Sequence, residues 1–373
     1  MTTEVNFERN GIVIEPMARP RSLDDADAAG LHGLIALERE CALTDFGYTD
    51  LVHTARERFA ELAHEEYSRI DRLLAWDGDL VVGRASIGRS LVDDTDRARA
   101  HVAVLPDRRR QGIGSALFVA LTEFCRRNGR SVLVSDSDHP AGTACGRRDV
   151  RAKSGVGEIP DDAAARFALA RGFVLEQVER YSVLPMPADA RLVARLEAEA
   201  IGRANAPHDY RLVTWTDRCP DEWVDDLAWL STRMSTDAPS AGIEAVEESW
   251  DAARVRDNES TLRQQRRTAL VCAAEHVPSG RLVGFTEIVV PDHDETIAFQ
   301  NDTLVLAEHR GRKLGQFVKT GNLRRLAAAR PAVRRVHTWN AAENSYMLSV
   351  NVALGFTTAG WCAQWQKRMN AIS

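Results

Sequence analysis

The chain has 373 residues, a formal net charge of −6, and 44% hydrophobic against 27% charged residues. That length exceeds one typical core, so two domains are expected, each of ordinary globular composition. An acidic balance argues against general nucleic-acid binding, and no apolar run is long enough to span a membrane. Six scattered cysteines without a CxxC pair argue against a disulfide framework or a zinc site, and no two histidines have metal-ligand spacing, so no metal is expected. The N-terminus MTTEVNFERN has no apolar signal core, which makes a cytoplasmic enzyme, or a cytoplasmic binding protein, the expectation.

In chain order, residues 11–15 read as a first strand, and helices follow over 24–41 and about 51–64. Arg72–Trp76 and Leu80–Ile87 flank Asp77-Gly78-Asp79, a hairpin signal. The next strand, 98–105, carries Val104 into the turn Arg109-Arg110-Gln111-Gly112-Ile113-Gly114 and a helix over 115–128, with Gly129 as its C′ residue. After a strand at 131–135, residues 136–160 lack periodicity and read as a long loop that holds Arg147, Arg148 and Arg151. A short helix (163–171) and a strand (173–184) follow, and Pro185-Met186-Pro187 should close the domain. Residues 188–204 read as a linking helix.

The second half repeats the plan. A strand at 210–215, a helix over about 222–234, a polar segment and helix over about 243–266, and a hairpin of 270–275 with 282–290 precede a strand over 296–306. Its apolar end, Leu304-Val305-Leu306, feeds the turn Glu308-His309-Arg310-Gly311-Arg312-Lys313-Leu314-Gly315. A helix over 316–330, a strand over 333–339 and a helix over 343–354 follow. The same spacing, 201 residues, separates Gly83 from Gly284 and Gly114 from Gly315. Phe173 and Phe356 are 183 apart, shorter by 18 because the 136–160 segment occurs in the first half only. An ordered set of matches at one offset indicates internal duplication. A strand that runs into a Gly- and Arg-containing turn at a helix start is a natural anion site, since free N–H groups and the helix dipole both favour negative charge. The chain carries this device twice.

Arg109 to Gly114, with the strand before it, the helix after it and the closing Ala-Arg-Gly-Phe, resembles the acyl-CoA turn of the Gcn5-related N-acetyltransferases (GNAT). The second half resembles the same family through His309 to Gly315, Asn344-Ser345-Tyr346-Met347, Asn351 and Leu354-Gly355-Phe356. The tandem layout is similar to two-domain actinobacterial members of the mycothiol synthase type. The resemblance implies an α/β (α+β) fold class: two tandem GNAT folds, each a mixed, mostly antiparallel sheet flanked by helices. Boundaries at 1–187, 188–208 (linker helix) and 209–373 follow from the repeat. Acetyl-CoA is the implied co-substrate, a small-molecule primary amine the acceptor, and a monomer or homodimer the expected state. The alternative is a non-catalytic acyl-CoA-binding or sensing protein.

The implied cofactor contacts in the second half are Leu304, Val305 and Leu306 as a sheet edge for the pantetheine amides, the turn residues Arg310, Gly311, Arg312, Lys313, Leu314 and Gly315, and Asn344. In the first half they are Val104, Arg109, Arg110, Gln111, Gly112 and Gly114. Family members often carry a Glu on the second arm of the hairpin. Here that position is Glu287, matched in the first half by Ser86, which is no strong base; catalysis is therefore expected in the second half, with Asp302 and Glu343 as the next candidates. The family's usual acid, a Tyr four residues before the closing Gly, is replaced by Asn351 and by Ala168. Asn351 could stabilise the leaving thiolate or an oxyanion by donating a hydrogen bond. Trp339 and Asn340 are the candidates for the acceptor pocket, whereas Trp250, Trp361 and Trp365 are expected to pack the core.

Overall fold

The structure is a computed structural model and describes residues 7–9, 11–63, 65–142, 149–237, 239–243 and 246–369. Along the chain lie β1 (Phe7–Arg9), β2 (Ile12–Pro16), α1 (Ala29–Phe46), α2 (Ala55–Glu61), β3 (Ser68–Asp77), β4 (Leu80–Ser90), β5 (Arg97–Val104) and α3 (Ile113–Arg127). Then come β6 (Val132–Pro140), β7 (Asp149–Arg151), β8 (Glu158–Pro160), α4 (Ala163–Ala170), β9 (Val174–Pro185) and α5 (Ala190–Ala204). The second half holds β10 (Tyr210–Thr216), α6 (Val224–Asp237), α7 (Ala252–Gln264), β11 (Arg267–His276), β12 (Arg281–Pro291) and β13 (Ile297–Val305). It ends with α8 (Leu314–Ala329), β14 (Arg335–Ala341), α9 (Ser345–Leu354) and β15 (Thr357–Arg368). No helix among the described residues is long and apolar enough to cross a membrane.

Two compact units emerge, and their limits differ from the expected 1–187 and 209–373. The first comprises 1–140, 163–174 and 364–373; the second comprises 141–162 and 175–363. Hydrogen bonding along a strand edge explains the difference. In the second unit β14 pairs with β13 on one side, and its other edge is filled by β9, antiparallel from Arg335↔Pro185 to Ala341↔Glu179. An unpaired central edge would leave backbone groups unsatisfied, so a strand from the first sequence half completes this sheet. In the first unit, Gln364–Met369 does the reciprocal job: the Met369 N–H donates to the Ser131 carbonyl and the Trp365 indole N–H to Ser137 Oγ. The expected linker helix is α5, capped by Asp189, and it is not a free connector. Within the second unit it packs along α8, where Gln316 donates to the Leu196 carbonyl at 2.6 Å.

The expected loop over 136–160 resolves differently too. Strand β6 runs on to Pro140, and β7 pairs with β8 as a small hairpin. That hairpin belongs to the second unit: Ser154 Oγ donates to Glu343 at 2.8 Å, and the Lys153 N–H donates to the Leu175 carbonyl. Arg147 and Arg148 lie outside the described residues, and Arg151 pairs with Glu158 at 3.4 Å.

The first unit's sheet runs β1-β2-β3-β4-β5-β6, antiparallel except for β5 with β6. The second runs β10-β11-β12-β13-β14-β9, with β13 parallel to β14 and its other pairs antiparallel. In each unit the parallel pair holds for three rungs only. Arg97, Ala98 and Arg99 face Val132, Leu133 and Val134; Ile297, Ala298 and Phe299 face Arg335, Val336 and His337. Beyond these rungs the strands separate and leave a gap, the place where a ligand can lie against main chain in an α/β sheet. The matched glycines allow close approach, of helix α3 to the sheet at Gly83 and of the neighbouring strand β13 at Gly284. A Cβ on Gly83 would come within 2.8 Å of Leu117, and one on Gly284 within 2.8 Å of the Leu304 carbonyl oxygen. Gly284→Val is therefore expected to lower the melting temperature by several degrees, by roughly 1–3 kcal/mol of overpacking, measured by thermal unfolding.

Candidate functional site

Both anion turns close in the same way. The first intrahelical bond of α8 runs from the Phe317 N–H to the Lys313 carbonyl, so the N–H groups of Leu314, Gly315 and Gln316 have no acceptor inside the helix. In α3 the corresponding bond joins the Ala116 N–H to Gly112, which frees Ile113, Gly114 and Ser115. Each turn needs two left-handed residues, and successive amides of this kind form an anion-binding concavity. The second copy uses Gly311 (φ 80) and Lys313 (φ 56); the first uses Arg110 (φ 66) and Gly112 (φ 89). Each copy thus has one glycine, at alternate positions. Lys313 adopts the required conformation despite its Cβ and is tied to Glu199 on α5 at 2.8 Å.

The turn arginines are braced by the protein. Arg310 donates to the Val305 carbonyl at 3.0 Å and to Asp237 at 3.0 Å, and Arg109 does the same with Val104 and Asp45 at 3.2 Å each. Arg312 reaches the Glu308 carbonyl, and Gln111, its counterpart, the Asp107 carbonyl. These side chains hold the turn in shape, and Arg310 and Arg109 share their charge with carboxylates. Gly315 is not needed for internal packing: a Cβ there would meet Tyr346 and Met347 only at 3.7 and 3.9 Å, ordinary contact distances. Leu304 and Leu306 point into the core, 5% and 8% exposed, so only their main chain is available to a ligand.

The gap of the second unit is a cavity of about 310 Å³. Gln300, Asn301, Asp302 and Thr303 from β13 form one wall; Trp339, Asn340, Asn344 and Met347 form the other. Trp339 is fixed by stacking on Tyr181 of β9, ring centroids 4.8 Å apart. Asn344 caps α9 through its side-chain oxygen, which accepts from the Met347 N–H at 3.1 Å, and it also lines the cavity. Asn351 does not line the cavity. It is 1% exposed and its amide donates to Asn340 Oδ1 at 2.6 Å. The α9 face that carries Asn351 turns toward the core, so its contact with the cavity runs through Asn340. Asn351→Ala is expected to cost roughly 1–3 kcal/mol by stranding Asn340, read as a lowered melting temperature.

On the other face of β12 lies a second cavity of about 270 Å³, between the sheet and helices α6 and α7. Glu287 reaches it, together with Phe285 two residues earlier on the same strand face. A bulge organises this spot. Thr286 pairs with Thr303 and Ile288 with Gln300, so the single residue Glu287 faces two, Asn301 and Asp302. The extra residue bends β13 and turns both side chains toward Glu287. Asn301 donates to Glu287 at 2.9 Å, and Asp302 lines both cavities. Burial pushes the Glu287 carboxyl up to about 7, and Asp302 adds to the rise while the Asn301 hydrogen bond opposes it. Burial also raises Asp302, with Glu248 contributing. Both carboxyls are surrounded by protein yet keep accessible surface, because the cavities open beside them.

The first unit lacks this arrangement. β4 and β5 keep one register from Gly83↔Val104 to Gly88↔Arg99, with no bulge. Ser86 stands in the place of Glu287 and accepts from Arg84 at 3.0 Å. Arg84 occupies the position of Phe285 and pairs with Glu38 of α1 at 3.1 Å. Glu38 also binds Arg58, Arg58 binds Glu61, and Glu61 binds the buried Arg72. A chain of ion pairs occupies the face that is hollow in the second unit.

The sequence gives no sign of Asn301 as a partner of Glu287. Trp365 is buried as expected, at 1% exposure, Trp361 is half-buried, and Trp250 packs against the core residues Val224, Ala228 and Val255 while also lining the second cavity with Trp215. The polar triplet Gln300-Asn301-Asp302 inside an otherwise apolar strand was the available signal for the bulge.

Comparison with known proteins agrees with this geometry. Residues 70–149 match the family model described as acetyltransferase (GNAT) domain. The structure resembles a tandem GNAT protein from the clavulanic acid biosynthesis pathway, at 24% identity and TM-score 0.74, covering 97% of this chain and 100% of that one. It also resembles a GCN5-related N-acetyltransferase from Sphaerobacter thermophilus, at 13% identity and TM-score 0.60, covering 98% of each chain. A third likeness is to a protein from Pyrococcus horikoshii described as a putative acetyltransferase, at 13% identity and TM-score 0.53, covering 99% of this chain and 93% of that one. No match emerges among curated protein sequences. With duplicated anion turns, splayed parallel strands and this set of likenesses, the chain is a tandem GNAT-fold protein.

Proposed function

We propose that the second unit is an acetyl-CoA-dependent N-acetyltransferase acting on the primary amine of a small molecule. The observation that carries this reading is Glu287, a carboxyl raised to about 7, standing at a bulge whose Asp302 lines both cavities. The fit to the co-substrate rests on the chain's own donors. The free amides of Leu314, Gly315 and Gln316 and the left-handed turn match a pyrophosphate. Gly315 has no side chain of its own to keep a ligand from the main chain, and the edge of β13 beyond Phe299 can pair with amide groups as an added strand does.

Acetyl-CoA supplies an acetyl thioester whose carbonyl carbon takes the new C–N bond as the C–S bond breaks. Ionised Glu287 accepts one proton from the acceptor's ammonium, directly or through a water, and frees the nitrogen lone pair for attack. The second nitrogen proton leaves with the thiol product, so no external oxidant or reductant is needed. Asn301 holds the Glu287 carboxylate through its 2.9 Å hydrogen bond, and Asn340, set by Asn351, presents an amide at the opposite wall of the gap.

The first unit supports a different reading, acyl-CoA binding without transfer. Its turn geometry is intact, but Ser86 is no base and the Glu38–Arg84 pair fills the acceptor side. Thiol release from acetyl-CoA with a panel of amines tests the proposal. Binding of acetyl-CoA with no transfer to any amine would favour a sensing protein instead.

A further inference from the structure

The anion turn of the second unit has a neighbour that the first unit lacks. Gly315 supplies the central one of its three free amides, and the first turn of α9 lies beside it. A Cβ on Gly315 would find Cε1 and the hydroxyl oxygen of Tyr346 at 3.7 and 3.9 Å, and Cε of Met347 at 3.9 Å. Tyr346 is the second residue of α9, a helix whose start is fixed by the Asn344 cap. The residue is 51% exposed, and its hydroxyl has no hydrogen-bond partner among the described residues. Burial of the packed edge raises the hydroxyl above its ordinary pKa, and Lys313 offsets the rise only in part, so the group is an O–H donor at neutral pH. The charged side chains of the turn are already committed. Arg310 is answered by Asp237 and Lys313 by Glu199, and Arg312 donates to the Glu308 carbonyl with its guanidinium over the Tyr210 ring. A pyrophosphate has oxygens to spare after the amides have taken theirs, and each can accept from an O–H at about 2.5–2.8 Å. The repeat sharpens the contrast. The offset of 183 residues that joins Phe173 to Phe356 sets Ala163, the first residue of α4, opposite Tyr346. The space beside Gly114 is taken by Phe167, at 3.5 Å from a Cβ, which offers no hydrogen-bonding group.

We infer that Tyr346 is a cofactor-binding residue of the second unit, its hydroxyl donating to a pyrophosphate oxygen of the bound acyl-CoA, and that the first unit has no such contact. This rests on the proposed binding of acyl-CoA at the turn and is independent of acyl transfer, so calorimetry reads it without turnover.

The test is calorimetry of the full chain with acetyl-CoA and with 3′-dephospho-acetyl-CoA, which keeps the pyrophosphate. Tyr346→Phe removes the hydroxyl and keeps the ring. It is expected to weaken both ligands by the same factor, about tenfold or more, as for loss of a hydrogen bond to a charged group. The loss should fall on one site per chain, with thermal unfolding confirming the fold. Wild-type affinity in Tyr346→Phe would overturn the inference; if Tyr346→Ala alone weakened binding, packing of the ring would account for the residue. A loss confined to acetyl-CoA would also overturn it, because the hydroxyl would then serve the 3′-phosphate. Failure of the wild-type chain to bind either ligand would overturn the acyl-CoA reading itself, whereas equal binding by wild type and Tyr346→Phe would leave that reading standing.

Discussion

Glu287→Gln is expected to lower kcat by about 10²–10⁴-fold, the range for loss of a positioned general base. Wild-type kcat/KM should rise with pH through about 7 and level off above it, because the base acts only when ionised and burial sets its pKa there. The variant should lose that limb, since an amide does not titrate. A linked effect on stability has the opposite sign to the usual carboxylate. The folded pKa, about 7, exceeds the ordinary value of 4.5. The native state therefore binds more protons than the unfolded state between those values, and stability falls as pH rises across that window. Denaturant melts of wild type and variant at pH 5 and pH 8 check this: the wild type should lose stability relative to the Glu287→Gln variant on going to the higher pH. Unchanged turnover and an unchanged pH profile would remove Glu287 from the chemistry.

A paired substitution at the two turns is expected to separate the roles of the units. Gly315→Leu should raise KM for acetyl-CoA about 100-fold or more, since a side chain there keeps the pyrophosphate from two or more charge-assisted amide bonds, each worth about 1.5–3 kcal/mol. The first atom of the new side chain meets Tyr346 and Met347 at ordinary contact distances, and Tyr346 is 51% exposed. Gly114→Leu in the first unit should leave turnover within about twofold while removing one acetyl-CoA site from the calorimetric stoichiometry. Thermal unfolding of both variants confirms that neither has lost its fold. The reverse pattern, with turnover lost on changing Gly114 and kept on changing Gly315, would move catalysis to the first unit.

Much of the fold was legible because it is written in local patterns. Asp77-Gly78-Asp79 between apolar runs gave the β3–β4 hairpin, and Gly129 stands past the end of α3 with φ 69, as a helix terminator should. The repeat offset of 201 residues follows from local motifs in the same way. The unit limits were not legible, since they depend on which strand fills the open edge of β14. Periodicity in β9 says that a strand exists, and says nothing of its neighbour. The hairpin at 149–160 was missed for a similar reason: its three-residue strands are too short to carry a period, and what holds them is tertiary, through Ser154 and Glu343.

At the candidate site, the sequence alone determined the two anion turns, the duplication, and the asymmetry of Glu287 against Ser86, because each depends on residue type at a fixed position. Tertiary structure decided where those residues lie and what they touch. Lys313 was compatible with the turn only if its backbone is left-handed, and it is. Asn351, singled out for direct action, lies on a helix face that turns inward and bonds Asn340. The bulge opposite Glu287 depends on register between two strands, and the hollow beside it depends on how α6 and α7 pack. Register and packing are properties of pairs of elements brought together from distant parts of the chain, and no single stretch encodes them.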